Sequence, residues 1–295
     1  GSLGYSRGED KCVIDANAEP RGSLIGAVLR DGDWNICVKY AHDNYIPVNP
    51  DETTYDPDAM NFVSVGGFTE ADEKFIAGAV EERKVVSNGK LTGETRRVKV
   101  NGSATWTPGD VKLARERGNL KILASTKEYM WQMPAILIGN KQWMAQNSET
   151  VQALLAAIFE GGEIVRSDDR SLRKAGDIMA QVHQEQDGAY WAKYFKGVVE
   201  EDKTGKPVSL GGSTTSGLGD NAFLFGLNGA DNLFKKGYTV YGGLVTHYYP
   251  ELMPSLLPYE KAVNTTYLQA LLGRASSVAR ADQPVYDSSR RGSQV

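Results

Sequence analysis

The hydrophobic positions of this chain change period several times, and the changes outline alternating strands and helices. Ser23 stands before Leu24, Ile25, Val28 and Leu29 like an N-cap before a helical face, and Trp34, Ile36, Cys37, Val38 and Tyr40 extend that face past Asp31-Gly32. Residues 46–58, with Pro47, Pro50 and Pro57, form a polar loop. Asn61 to Val65 is a short strand ending at Gly66-Gly67. A helix capped by Thr69 follows through Phe75, Ile76 and Val80, with Glu70 and Asp72 in its first turn, where the helix dipole favours acids. Residues 85–100 alternate about Asn88-Gly89, a strong hairpin signal.

Ala104 to Thr107 predicts a strand ending at Pro108, Asp110 to Arg117 a short charged helix, and Leu120 to Ala124 another strand. Ala135-Ile136-Leu137-Ile138-Gly139 is apolar throughout, so it predicts a strand buried on both faces. Val151, Leu154, Leu155, Ile158 and Phe159 mark a helix that starts at Asn147-Ser148 and stops at Gly161-Gly162. A second amphipathic helix runs from Asp169 to Gln186, with Leu172, Ile178, Met179 and Val182 on one face. Trp191, Tyr194 and Phe195 mark a third. A Gly/Ser/Thr loop (210–220), two short mixed segments and a helix from Tyr259 to Leu272 complete the pattern, and the polar tail 276–295 reads as linker. Strands alternating with helices across short turns predict an α/β chain with a mostly parallel sheet.

Composition narrows the function classes. The chain has 295 residues, and its 41% hydrophobic and 24% charged content suits an ordinary globular protein of one large or two smaller units. Lys and Arg total 33 against 37 Asp and Glu, which argues against a nucleic-acid partner held through phosphates. No apolar run reaches the roughly 18–20 residues of a membrane helix. The chain opens Gly1-Ser2 without Met or signal peptide, so a fragment or a processed form is expected. Cys12 and Cys37 can pair in an oxidising compartment or stand as two thiols. The three His are scattered, so no metal site and no cofactor site are expected.

No catalytic motif is present. Gly-x-Ser-x-Gly, a phosphate-binding Gly loop with its Lys, and His-Glu-x-x-His are all missing, and Gly211-Gly212-Ser213 reads as a loop. The carboxylate pairs Glu81-Glu82, Asp168-Asp169 and Glu200-Glu201 are sequence neighbours and do not share a helix face. Nothing in these motifs proposes an enzyme. Polar and aromatic residues beside predicted strand and helix ends are the binding candidates: Arg21, Ser23, Trp106, Thr107, Thr126 and Lys127. In open α/β sheets ligands sit outside the carboxyl ends of strands, and few polar groups fix them there.

Several stretches resemble a known family. They are Ala104-Thr105-Trp106-Thr107-Pro108, Lys121-Ile122-Leu123-Ala124-Ser125, Met133 through Lys141, and Ala145 through Leu155, where Ser148 stands for the Pro of an Asn-Pro-Glu-x-Val helix start. Pro20-Arg21-Gly22-Ser23-Leu24 resembles a Gly-Ser turn of the same family. These resemble the periplasmic substrate-binding proteins of ABC importers for nitrate, sulfonate, taurine and thiamine precursors. Tyr5 to Lys11, Leu29 to Asn35 and Leu91 to Thr95 resemble a subgroup fused to an OmpA-like domain.

The resemblance implies a two-lobed, type 2 periplasmic-binding architecture with hinge crossings. Residues 1–10 would be an inter-lobe crossing, 11–128 the second lobe and 129–275 the returning part of the first. Residues 276–295 would lead to an OmpA-like domain, and the first lobe's N-terminal strands would be missing, leaving a sheet edge. It further implies a periplasmic protein that captures a small, anionic ligand between its lobes and hands it to an inner-membrane ABC permease. Arg7, Arg21 or Lys127 would supply charge, and Trp106 an apolar wall. A sensor or structural role at the cell wall, through peptidoglycan contact of the fused domain, is the alternative. The thiamine-precursor enzymes of this fold need a Cys-rich motif and a placed His, which two separated Cys and three scattered His disfavour.

Overall fold

The computed structural model describes residues 2–6, 10–129, 134–213 and 215–275. In chain order the strands are β1 (Ser2–Ser6), β2 (Lys11–Asp15), β3 (Leu24–Ala27), β4 (Thr54–Tyr55), β5 (Asn61–Ser64), β6 (Val80–Ser87), β7 (Lys90–Lys99), β8 (Gly102–Thr105), β9 (Leu120–Ser125), β10 (Pro134–Ile136), β11 (Val198–Glu201) and β12 (Pro207–Leu210). The helices are α1 (Gly32–Asp43), α2 (Phe68–Ala77), α3 (Gly109–Glu116), α4 (Lys141–Gln146), α5 (Ser148–Ser167), α6 (Asp169–His183), α7 (Gly188–Lys196), α8 (Leu218–Leu224), α9 (Leu233–Tyr248), α10 (Tyr259–Ala262) and α11 (Thr266–Ala275).

A five-stranded sheet in the order β5-β3-β8-β2-β9 organises residues 10–129. It is mixed rather than mostly parallel. β3 runs parallel to β5 and β8, whereas β2 runs against both β8 and β9. Alternation along the strands sorts the side chains between two helical layers. Cys12, Ile14, Ile25, Ala27, Phe62 and Ala104 face α1, where Trp34, Cys37, Val38 and Ala41 are fully buried. Val13, Leu24 and Val63 face the other way, toward Phe75 of α2 and Leu113 of α3. A Cβ at Gly26 would stand 3.0 Å from Ala71 Cα, so the glycine lets α2 lie directly on β3.

Several expectations change here. Leu24–Ala27 is a strand buried at every position, not the first turn of a helix that Ser23 caps. The helix begins at Gly32 instead, where Asp31 accepts from the Gly32 N–H. α2 starts at Phe68, with Gly67 rather than Thr69 in the cap position. α5 passes through Gly161-Gly162 and ends at Ser167, because Gly162 admits the 215–216 loop against the helix and its carbonyl accepts from Thr215 Oγ1 at 2.7 Å. The helix expected over 259–272 is broken into α10 and α11. The hairpin is present as β6–β7, and both turn residues, Asn88 and Gly89, have the positive φ that its turn requires.

The rest is mostly helical. β1 and β10 form a two-stranded antiparallel ribbon, so the chain runs between ribbon and sheet twice, from β1 to β2 and from β9 to β10. The apolar run after Pro134 is not buried: Ile138 is 88% exposed, and Ile136 and Leu137 are also open. Among the described residues, β10 pairs with β1 in a two-stranded ribbon and has no second strand beside it. α7 and the β11–β12 hairpin turn back onto α3, where Tyr194, Val208 and Leu210 pack with Val111 and Ala114.

Cys12 on β2 and Cys37 on α1, 25 positions apart in sequence, are joined by a disulfide with Cα atoms 5.2 Å apart. A crosslink closing a loop of this length removes denatured-chain entropy equivalent to about 3 kcal/mol. Reduction, or Cys12→Ala with Cys37→Ala, should lower unfolding free energy by about 2–4 kcal/mol in urea titrations. An unchanged midpoint would show that the bond adds nothing to stability.

Candidate functional site

The strand directions gather one edge of the large sheet into a candidate site. β3, β5, β8 and β9 all end there, and β2 begins there, since Lys11 sits opposite both Thr105 and Ser125. The loops after those strands, and the first turns of α1, α2 and α3, meet at the same edge. Trp106 follows β8 directly, and its ring lies 4.7 Å from that of Phe68, the first residue of α2. α2 and α3 both begin without a side-chain cap. The orphan N–H groups at the start of α2 and the dipoles of both helices favour negative charge, while in α3 the Asp110 N–H donates to the Trp106 carbonyl and the Val111 N–H to Asp110 Oδ1. Glu70 in the first turn of α2 supplies some negative charge, and its Oε2 accepts from the N–H of Gly66, before the helix, at 2.9 Å.

Polar groups at this edge fall into two kinds, satisfied and unsatisfied. Thr107 Oγ1 is buried and has no hydrogen-bond partner among the described residues. Lys127 is exposed, and its ammonium makes no ion pair with the described residues. Thr126, by contrast, is buried and engaged. Its Oγ1 accepts from Asp10 N, while its own N–H donates to Asp10 O, both at 3.0 Å. It pins the crossing strand to the end of β9.

Four of the sequence-derived candidates therefore come together at this edge: Trp106, Thr107, Thr126 and Lys127. Two do not. Arg21 and Ser23 precede β3 and lie at the opposite end of the sheet. Arg21 donates to the carbonyls of Asp58 and Tyr45, at 2.9 and 2.7 Å. Ser23 is fully buried and its Oγ donates to Pro20 O at 2.7 Å. Both close the turn into β3. Arg7 lies outside the described residues, as does the 276–295 segment.

Beneath the edge lies a polar core that the sequence did not reveal. Lys11 is completely buried, and its Nζ reaches Asp110 Oδ2 at 2.5 Å and the carbonyl of Ser209 at 3.0 Å. The same Asp110 oxygen accepts from Gly211 N at 2.8 Å, and Oδ1 accepts from Val111 N. Asp72 of α2 is buried. It accepts from Ser103 Oγ at 2.7 Å and Thr105 Oγ1 at 3.0 Å. Gly109 opens α3 against it, since a Cβ there would come within 2.2 Å of Asp72 Oδ2 and of Thr105 Oγ1. The available signals were a lone Lys heading the apolar strand Lys11-Cys12-Val13-Ile14, and an Asp three residues before the core residue Phe75. Arg30 and Trp34, near the same edge, are engaged in packing. Trp34 packs on Phe62 and Tyr249, and Arg30 lies over the Tyr249 ring at 5.1 Å.

Comparison with known proteins locates this architecture. The sequence matches no protein-family model and no curated protein. In three dimensions it is similar to a periplasmic sulfonate-binding protein of a sulfonate ABC transporter, SsuA from Methylobacillus flagellatus KT. The TM-score is 0.58 at 12% sequence identity, over 97% of this chain and 72% of that one. The chain has the α/β fold of the type 2 periplasmic binding proteins. The likeness does not bear on an OmpA-like domain. Among the described residues, no helix is long and apolar enough to cross a membrane, and no cluster of metal-ligating side chains is present.

Burial pushes the Asp72 carboxyl up to about 7, and the Ser103 and Thr105 hydroxyls oppose the shift only in part. The folded state therefore holds this proton more tightly than the unfolded chain. Its stabilising contribution is complete below about pH 4 and is lost as pH rises toward 7. Asp72→Asn cannot ionise and keeps an acceptor for one hydroxyl. Its unfolding free energy should decline less steeply between pH 4 and 7 than that of the unsubstituted protein, by up to about 1.4 kcal/mol per pH unit. Parallel stability–pH curves for the two proteins would contradict a neutral Asp72.

Proposed function

We propose that the chain is a solute-binding protein that holds a small anionic ligand at the strand-end edge of its five-stranded sheet and delivers it to an ABC permease. The carrying observation is the set of unmatched groups at that edge. Among the described residues, α2 presents an uncapped N-terminus, Thr107 a buried hydroxyl without a hydrogen-bond partner, and Lys127 a cation in no ion pair. Trp106 and Phe68 add an aromatic wall. Helix N-termini and charge-assisted hydrogen bonds suit an anion, and the aromatic pair suits an apolar substituent beside it. The similarity to SsuA, a sulfonate-binding protein, makes an organic sulfonate the first ligand class to try.

The lobe assignment belongs to the same proposal. Residues 11–128 form the second lobe, 129–275 the returning part of the first, and 1–10 a crossing between them. The two passages between ribbon and sheet support this division, and closure about them would bring both lobes onto the ligand. A periplasmic location is supported by the Cys12–Cys37 disulfide, which persists in oxidising compartments, together with the fold likeness.

A thermal-shift panel of alkanesulfonates, taurine, sulfate, nitrate, amino acids and pyrimidine precursors tests the reading. A true ligand at a hundredfold excess over its Kd should raise the melting temperature by about 5 °C or more. Trp106→Ala should weaken its binding by more than about 1 kcal/mol, near fivefold in Kd. No shift with any compound, or full affinity in Trp106→Ala, would count against the proposed site.

A further inference from the structure

A second concavity lies apart from the strand-end edge, among α5, α6, α7, Ser213 and Thr215. Its volume is about 330 Å³, and its walls include Val165, Leu172, Ala175, Met179 and Phe195, with Ile178 also lining it. The opening has a local cause. Gly176 of α6 meets Gly188 of α7 so closely that a Cβ would stand 2.4 Å from the Gly188 carbonyl oxygen. The helices touch along that glycine contact, while the small Ala175 next to it leaves the space unfilled. The amphipathic face of α6 is consequently left partly open, with Ile178 52% exposed.

Two polar features distinguish this pocket from a gap in packing. Ser213 lines it, and its buried Oγ has no hydrogen-bond partner among the described residues. A buried hydroxyl without a partner is unfavourable unless something meets it. The charged residues that line the pocket, Arg166 and Lys196, are both cations. Their carboxylate partners, Glu163 and Asp220 for Arg166 and Asp169 for Lys196, are not among the lining residues. The Lys196–Asp169 pair is largely in solvent, so it is weak and readily exchanged for another carboxylate.

We propose that this pocket binds a small amphiphile, an apolar chain or ring carrying one carboxylate. The apolar part packs on Leu172, Met179 and Phe195, and the carboxylate meets Ser213 Oγ and the Lys196 ammonium. The volume is about twice the roughly 150 Å³ of an apolar cavity that takes benzene, which leaves room for a chain the size of octanoate. Met179 adapts to the shape of such a chain. The site shares no residue with the strand-end edge, so it stands independently of the function proposed there.

Calorimetric titration of the purified protein with octanoate, shorter fatty acids and octan-1-ol tests it. Octanoate should bind one per chain, with affinity falling about fourfold for each methylene removed. Ala175→Phe fills the pocket and should weaken octanoate at least tenfold. Ile178→Lys, at the open side of α6, should do the same if the first variant fails to fold. Lys196→Gln should weaken octanoate severalfold and leave octan-1-ol unchanged, and Ser213→Ala should weaken both. Trp106→Ala should leave octanoate binding intact. The proposal is overturned if the unsubstituted protein takes up no octanoate, or if its affinity survives both Ala175→Phe and Ile178→Lys. Equal binding of acid and alcohol, indifferent to Lys196→Gln, overturns the carboxylate assignment. Loss of octanoate binding in Trp106→Ala alone would move the ligand to the strand-end edge and overturn the pocket.

Discussion

The buried pair of Lys11 and Asp110 ties together parts of the chain that sequence separates by about a hundred residues each. Lys11 heads β2, the strand by which the chain enters the large sheet, and Asp110 opens α3. The pair then reaches into the later half, through Lys11 to the Ser209 carbonyl and through Asp110 to the Gly211 N–H. Two charges this deep are expensive to desolvate and survive only with good geometry and further hydrogen bonds, both of which are present. Removing either partner would strand a buried charge. The pair therefore fixes where β2 starts, how α3 points at the strand-end edge, and where the β11–β12 hairpin docks. Without it the candidate site would lose its floor and one of its walls would be free to move.

What was readable in the sequence was local. Asn88-Gly89 announces a hairpin because its two positive φ values are a property of those two residues. The strands 61–64 and 120–125, and the aromatic helix α7, likewise carry their signals within a few residues. Leu24-Ile25-Gly26-Ala27 defeated the reading because a short apolar run buried on all sides has no period to distinguish strand from helix. α9 went unrecognised because Gly237, Gly242 and Gly243 interrupt its pattern, although Leu244 is buried in the core beside Trp34. The helix stop expected at Gly161-Gly162 failed because the glycine serves a loop contact from 53 residues away.

The candidate site was half legible for the same reason. Trp106, Thr107, Thr126 and Lys127 follow recognisable strands, so their shared edge followed from topology. The buried roles of Asp72 and Asp110 are not legible locally, because their partners, Ser103, Thr105 and Lys11, lie 31 to 99 residues distant. Arg21 and Ser23 were misplaced with the helix that is a strand. Burial of the Ile136–Ile138 run was expected from its composition. Its exposure depends on how few strands the ribbon contains, which no local pattern encodes.

The strand-end edge rests on a preorganised base. Asp72, Ser103 and Thr105 hold α2 to β8, Gly109 lets α3 begin against them, and Thr126 locks the crossing strand to Asp10. A rigid base of this kind leaves a few exposed groups to recognise a ligand. Hydrogen–deuterium exchange of backbone amides, with and without saturating alkanesulfonate, tests this most directly. The account predicts ligand-dependent protection concentrated at residues 66–69, 106–110 and 126–128. Protection confined to residues 20–24 or to the helices α5–α7, or none at all, would contradict it.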